Sequence, residues 1–331
     1  AVVSREHDGG DLWELYQPLD GGSRIAMTRK QAVPQPGKAV FSSDASDKPG
    51  TTIAGPVFSE FAVTHPMDNG TFGTRVRVYA GLKRIDIHTQ LVNNKKFVRY
   101  QALFPTSIQG GRTVHEVPFG AIERPAAIEF PAQNWADYGD GRRGVALLNR
   151  GMPGNLTTDN TMMLSLARAT AIVAYGFGGG YGPGMSSDSG FELGKPLSFD
   201  YAVVPHAGDW REAGVYRAGL EFNNPLLVRK ALPHAGALPK RWGLLEISQP
   251  NAVLSALKPG PNGTAVARIY EAAGTASRDV KIGLRANVVS AEEVNLMEDP
   301  GRKLPVAENC VAVDLKPFEI KTLKFQLGAA K

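Results

Sequence analysis

Several short groupings in this chain carry residue types that do chemistry. Asp86-Ile87-His88 sets a carboxylate and an imidazole two residues apart. On a strand both would lie on one face and could touch one metal ion. No third ligand stands nearby, and a solvated strand face is the competing reading. His115-Glu116 places an acid beside a base, but strand neighbours point to opposite faces and cannot act together on one atom. Glu123-Arg124 reads as an ion pair ahead of a substrate clamp, because burying either charge alone is costly. The Gly-rich stretch Tyr175–Gly184 has neither the G-x-x-x-x-G-K-[ST] pattern nor a strand–loop–helix setting. It is therefore read as a turning loop and not as a phosphate cradle.

These groups sit among elements that the hydropathy pattern predicts. Val76 and Val78 alternate with Arg75 and Arg77, while Ile85, Ile87 and Leu91 alternate with Asp86, His88 and Gln90. Val98, Tyr100 and Phe104 share one side of the next segment. Period two at short spacing, with turns between, marks antiparallel sheets with one wet face. Val145–Leu148 is a short apolar run suited to a strand buried on both faces, and further strands are expected at 162–166 and 199–204. Residues 4–60 read as polar and turn-rich, with turn signals at Asp8-Gly9-Gly10, Asp20-Gly21-Gly22 and Lys48-Pro49-Gly50. One helix is expected. Asp209 caps it, Glu212 reaches back, and Asn223-Asn224-Pro225 stops it. His206 and Trp210 would fix that helix against the sheet. The pattern breaks around Pro233–Lys240, then resumes at 252–257, 264–270, 280–286, 311–315 and 320–327, as in a small β-sandwich.

Bulk properties bound the class. A length of 331 residues suits about two domains. With 37 Gly and 23 Pro, many short strands fit better than a helical fold. The net charge of +5 is spread without a basic run, so no nucleic-acid partner is expected. No segment has transmembrane length, so no membrane partner is expected either. Cys310 is the single cysteine, which excludes an internal disulfide. The first residues, Ala1-Val2-Val3-Ser4-Arg5, lack a signal-peptide pattern and an initiator Met, as a fragment or processed chain would.

A set of ordered blocks resembles one known family. They are Phe119-Gly120-Ala121-Ile122-Glu123-Arg124-Pro125, Trp135-Ala136-Asp137, Gly144–Asn149, Pro205-His206-Ala207-Gly208-Asp209-Trp210-Arg211 and Glu221-Phe222-Asn223-Asn224-Pro225. In the tail, Asn251–Lys258, Arg268-Ile269-Tyr270-Glu271 and Pro317–Leu323 continue the match. Together they resemble the C-terminal β region of glycoside hydrolase family 38 α-mannosidases, the bacterial branch in particular, over most of residues 70–327.

The resemblance implies an all-β chain. A large antiparallel supersandwich, similar to galactose mutarotase, would occupy residues 1–238, and a small immunoglobulin-like sandwich 239–331. It implies the C-terminal portion of a soluble, retaining exo-α-mannosidase whose Asp nucleophile and zinc ion lie in a separate N-terminal domain, followed by a helical domain. The expected partners are those missing domains and α-mannosides or another carbohydrate. No catalytic residue, metal ligand or cofactor is expected in this chain, which would scaffold the catalytic domain and lend loop residues to the rim of the mannose site. The substrate-binding expectation falls on Arg150, Asp159, Arg168 and Tyr181. Arg150 leaves the sheet where loops carry function, and a Tyr face suits a pyranose ring. Turn support for Arg150 and a packing role for Tyr181 stay open. Two rivals remain. A stand-alone carbohydrate-binding module predicts an exposed aromatic platform around Trp135 or Tyr181. A mutarotase-like epimerase predicts a His and a carboxylate converging in one groove.

Overall fold

The alternating segments form long antiparallel strands. The computed structural model describes residues 2–8, 31–45, 48–169, 172–174, 185–186, 193–237 and 239–329. Up to Asn224 the strands are, in chain order, β1 (Val2–His7), β2 (Ala39–Phe41), β3 (Thr51–Ala54), β4 (Phe58–Met67), β5 (Gly70–Tyr79), β6 (Ile85–Val92), β7 (Val98–Pro105), β8 (Arg112–Val117), β9 (Gly120–Arg124), β10 (Phe130–Pro131), β11 (Trp135–Gly139), β12 (Arg143–Asn149), β13 (Gly154–Thr158), β14 (Thr161–Ala169), β15 (Ile172–Ala174), β16 (Met185–Ser186) and β17 (Pro196–Ala207). Nine of them make one sheet in the order β3-β4-β5-β6-β17-β12-β11-β8-β9. Six make a second, β10-β13-β14-β7-β1-β2, and β15 pairs with β16.

The two large sheets share one core, as sandwich packing requires. Tyr100, Phe104 and Met162 of the six-stranded sheet meet Ile87, Leu91, Tyr138, Leu147 and Tyr201 of the nine-stranded one. Phe104 and Tyr201 touch edge to face, with ring centroids 5.9 Å apart. Each large apolar side chain so buried contributes about 1.5–3 kcal/mol. Alternation explains which residues enter. In β6, Ile87 and Leu91 are buried while Asp86 and His88 stand on the opposite face.

The first strand corrects the reading of residues 4–60 as merely polar. β1 pairs with β7 on one side and β2 on the other. It tolerates Glu6 because Glu6 and Arg99 face each other in register and form a buried ion pair, with Glu129 on the other side of Arg99 at 3.5 Å. Charges buried in this way are compensated by one another, which hydropathy alone does not register.

The helix, α1 (Val215–Asn223), starts later than expected. Asp209 does accept the amides of Arg211 and Glu212, at 2.9 and 3.0 Å, but these close a separate turn. Gly214, with φ +66°, then sets the chain into α1 through a left-handed conformation that L side chains avoid. The helix packs on β11 and β12. Trp210 stacks against Trp135 with centroids 5.1 Å apart. At Gly219 a Cβ would come within 2.6 Å of the Trp135 indole, so this close approach needs glycine.

The remaining strands are β18 (Leu245–Ile247), β19 (Ala252–Pro259), β20 (Thr264–Glu271), β21 (Ser277–Leu284), β22 (Val288–Val294), β23 (Arg302–Leu304), β24 (Cys310–Leu315) and β25 (Ile320–Leu327). They form sheets β18-β21-β24 and β19-β20-β25-β22-β23 around a core that includes Ile269, Val280, Ile282, Leu323 and Phe325. This is the small sandwich that the tail pattern predicts. One polar group is central to it. Buried Glu271 accepts the amides of Ala273, Thr275 and Phe318 at 2.8, 3.0 and 3.0 Å and the side chain of Asn251 at 2.8 Å.

Two compact units result: Ala1–Val117 with Ile122–Asn224, and Pro118–Ala121 with Pro225–Lys331. The fold is the expected one, all-β with a large antiparallel supersandwich and a small second sandwich. Among the described residues no helix is long and apolar enough to cross a membrane.

Candidate functional site

Of the four residues expected at a sugar, the three that are described do not gather. Arg150 follows β12 and donates from Nη2 to the carbonyl of Phe222, in the last turn of α1, while its guanidinium lies 4.6 Å from the Phe222 ring centroid. A cation at a helix C-terminus meets the negative end of the helix dipole. Its other end lies 3.7 Å from Asp200. Arg168 donates from Nε and Nη2 to both oxygens of Asp8, at 2.6 and 2.7 Å, and Asp8 is fully buried. Asp159 forms the tip of the β13–β14 hairpin. Tyr181 lies outside the described residues, as does the Gly-rich stretch Tyr175–Gly184.

The other candidate groups are also placed. Asp86 pairs with Arg84 at 2.5 and 3.0 Å, and His88 Nδ1 lies 2.8 Å from Asp200. Both members of the D-x-H are therefore engaged elsewhere on their shared face. Among the described residues no three His, Cys, Asp or Glu side chains gather as metal ligands, so those residues do not fit a zinc site.

His115 and Glu116 on β8 are both buried. Burial, helped by the charge of Arg124, pushes the His115 pKa down to about 4. Burial pushes Glu116 up to about 7, against the opposing hydrogen bonds from Asn134 and the Trp135 amide. Trp135 is 1% exposed and offers no platform to a ligand.

Among the described residues of the first unit, two hollows stand out. The larger, about 830 Å³, is walled by Phe104, Ile108, Val203 and Pro205, with His206 at its edge. His206 Nε2 lies 2.7 Å from Asp137 Oδ2. Burial alone would lower the His206 pKa, but the bond to Asp137 and its charge outweigh this and hold it raised. The carboxylate of Asp137 is spent on the imidazole, and Asp137 does not line the hollow. The pair ties β11 to β17 across Gly144, where a Cβ would come within 2.4 Å of the His206 ring. The Trp210–Trp135 stack gives Trp210 the position expected of a residue that holds the helix segment to the sheet, whereas the His206 pair joins two strands of the sheet itself.

The smaller hollow, about 470 Å³, lies between the β8–β9 edge of the nine-stranded sheet and the β13–β14 hairpin of the other. Its lining is mainly polar, with Pro125 and Ala126 on one side. Thr113, Tyr138, Thr157 and Arg124 line it, and Arg112, Glu123 and Asp159 stand exposed around it. The expected Glu123–Arg124 ion pair does not form. Glu123 faces Arg112 at 3.7 Å, while the Arg124 guanidinium lies 4.6 Å from the Phe130 ring centroid. Strand alternation separates the two neighbours, and a ring was available to one of them. Buried Arg124 Nε and Thr157 Oγ1 have no hydrogen-bond partner. Asp159 and Asn160 have φ of +46° and +57°, the two-residue turn that suits a right-twisted hairpin. Asn160 is locked by Tyr138 Oη, which donates to its Oδ1 at 2.9 Å, and by its own donation to Gln109 at 3.0 Å. Arg124 and Thr157 were not expected at a site. The Asp159-Asn160 pair between Thr158 and Thr161 is the local signal that could have placed a hairpin tip here.

Known proteins align with this arrangement along most of the chain. Residues 33–172 match the family model described as "Glycosyl hydrolases family 38 C-terminal domain". Residues 251–323 match "Glycosyl hydrolases family 38 C-terminal beta sandwich domain". Alpha-mannosidase 2C1 of Mus musculus is 29% identical over 271 residues, which is 77% of this chain and 24% of the mouse protein. Alpha-mannosidase G of Dictyostelium discoideum is 25% identical over 278 residues, 78% of this chain and 24% of that protein. Among solved structures, an alpha-mannosidase from Enterococcus faecalis V583 superposes with a TM-score of 0.75 at 15% identity, covering 98% of this chain and 38% of that one. The chain thus spans about a quarter of the length of the curated relatives it matches.

Proposed function

The chain belongs to glycosyl hydrolase family 38, of which it carries the C-terminal domains, and from that premise we propose that it is the C-terminal β portion of a retaining exo-α-mannosidase. In this reading the catalytic nucleophile and a zinc ion belong to an N-terminal domain outside the chain. The β portion scaffolds that domain and the helical domain beside it, and its loops contribute to the rim of the mannose site. Alone it is inert. The observation that carries the reading is the ordered match to both C-terminal domains of the family, together with relatives of which the aligned part is only about a quarter.

The chemistry agrees with a division of labour. Retention calls for two carboxyl groups about 5–5.5 Å apart across the scissile bond, and a catalytic zinc calls for three protein ligands and an open position. In the described residues the carboxylates of Asp86, Asp137 and Asp200 are engaged by Arg84, His206 and His88. Arg150 and Arg168 enter the proposal as supports: one braces the end of α1, the other pins Asp8. Asp159, with no such duty, is the rim residue left free to meet a sugar, and Tyr181 stays a further candidate. The test is an assay of the isolated chain on an aryl α-mannoside, with and without added zinc. Background release alone is expected. Turnover would put the catalytic groups within this chain.

A further inference from the structure

We infer that the cleft between the β8–β9 edge and the β13–β14 hairpin binds a neutral polyhydroxylated ligand, a saccharide, without help from any other domain. The inference goes beyond the proposed scaffolding role, since it requires binding by this chain alone.

Three observations carry it. The first is unsatisfied hydrogen-bonding capacity. Thr157 is 3% exposed, and its Oγ1 has no partner; neither does the buried Nε of Arg124. Buried polar groups without partners cost about 1–3 kcal/mol each, and two lining one cleft is a pattern that a bound ligand would relieve. The second is the mixture of charge. Arg112 and Arg124 oppose a cationic ligand, while Glu123 and Asp159 oppose an anionic one. A neutral ligand rich in hydroxyls can accept from the guanidinium groups and donate to the carboxylates at once. The third is preorganisation. The hairpin tip holds Asp159 at the cleft through two left-handed residues, Asn160 is locked from both sides, and no hydrogen bond or ion pair engages the Asp159 carboxylate among the described residues. Ordering cost on binding is therefore low. The volume, about 470 Å³, falls in the usual range for small-ligand pockets. The larger hollow is lined by Lys83, Arg143, two hydroxyls and one engaged imidazole but by no carboxylate, so it lacks this pairing of acidic and basic groups.

The test is calorimetric titration of the whole chain with α1,2-mannobiose and maltobiose as neutral probes, and with glucuronate and glucosamine as charged ones. Saturable binding of at least one neutral disaccharide is expected, with both charged sugars about tenfold weaker or more. Thr157→Val keeps shape and removes the unpaired hydroxyl, and Asp159→Asn keeps a residue that tolerates the left-handed turn. Each should weaken binding by about three- to tenfold, the loss of roughly one hydrogen bond, with a melting temperature that is unchanged in Asp159→Asn and unchanged or raised in Thr157→Val, where an unpaired buried hydroxyl is lost. No saturable heat with either neutral probe at 20 mM (about the weakest useful affinity) would overturn the inference. So would equal binding of the charged sugars, or unaltered affinity in both folded variants. Failure here leaves the turnover test of the scaffold reading untouched, since that test reads catalysis and this one reads binding.

Discussion

Replacing Glu116 with Gln should make the first unit more stable at alkaline pH and leave it nearly unchanged in acid. Glu116 is 7% exposed on β8, and one carboxyl oxygen accepts the Asn134 amide at 2.7 Å. Burial pushes its pKa up from 4.5 to about 7, with the amide bonds opposing. The folded state therefore binds more protons than the unfolded state between those values. Stability from this group is fully present below the unfolded pKa and is lost as pH rises through the folded one. At 1.36 kcal/mol per pH unit, the ionised carboxylate costs the fold about 3 kcal/mol at pH 8. Gln removes that cost and can still accept from Asn134, but its amide nitrogen brings a donor that needs a partner, which trims the gain to about 2 kcal/mol. Urea unfolding followed by tryptophan fluorescence, with Trp135 and Trp210 reporting on this unit, gives the comparison. Near-equal stability at pH 4.5 and a gain of about 2 kcal/mol at pH 8 are expected. An equal difference at both pH values, or a less stable variant at pH 8, would refute the reasoning.

The neighbour on the opposite face should behave inversely. His115 is buried, and burial with the nearby charge of Arg124 pushes its pKa down to about 4, so its stability contribution is present above the unfolded value of 6.5 and lost as pH falls toward 4. His115→Leu should hold or raise the melting temperature at pH 7 and flatten the acid limb; an unchanged limb would contradict this. In the second unit, Glu271→Ala strips a carboxylate from three backbone amides and should cost about 3 kcal/mol or more, read as an earlier urea midpoint for that unit alone. Brief trypsin treatment should cut first after Arg229 or Lys230, because the stretch between α1 and β18 carries Leu226 and Val228 at 94% and 86% exposure with no strand or helix. A first cut inside either sandwich would count against that account.

Much of the fold was legible because alternation is a local signal. β5, β6 and β7 are foreshadowed by residues that repeat at period two, and the tail strands likewise, while β14 and β17 match the further strands expected at 162–166 and 199–204. What stayed hidden depends on partners far along the chain. Glu6 reads as a surface residue until Arg99, 93 residues on, is known to face it. Arg168 reads as a free cation until Asp8 is found against it. Asp209 correctly marks a turn, but the left-handed Gly214 that delays α1 is invisible to a capping pattern. The smaller cleft was half legible. Asp159 could be singled out by its loop position, whereas Arg124 was assigned to its sequence neighbour Glu123, although strand geometry sends the two apart.

The central claim is that this chain supplies the frame and another part of the protein supplies the chemistry. The most direct measurement compares the full-length protein with the isolated chain on the same aryl α-mannoside, with and without zinc, following the anomer of the released sugar by NMR. Release by the full-length protein alone is expected, with the α-anomer appearing first. Release by the isolated chain, or β-mannose as the first product, would contradict it.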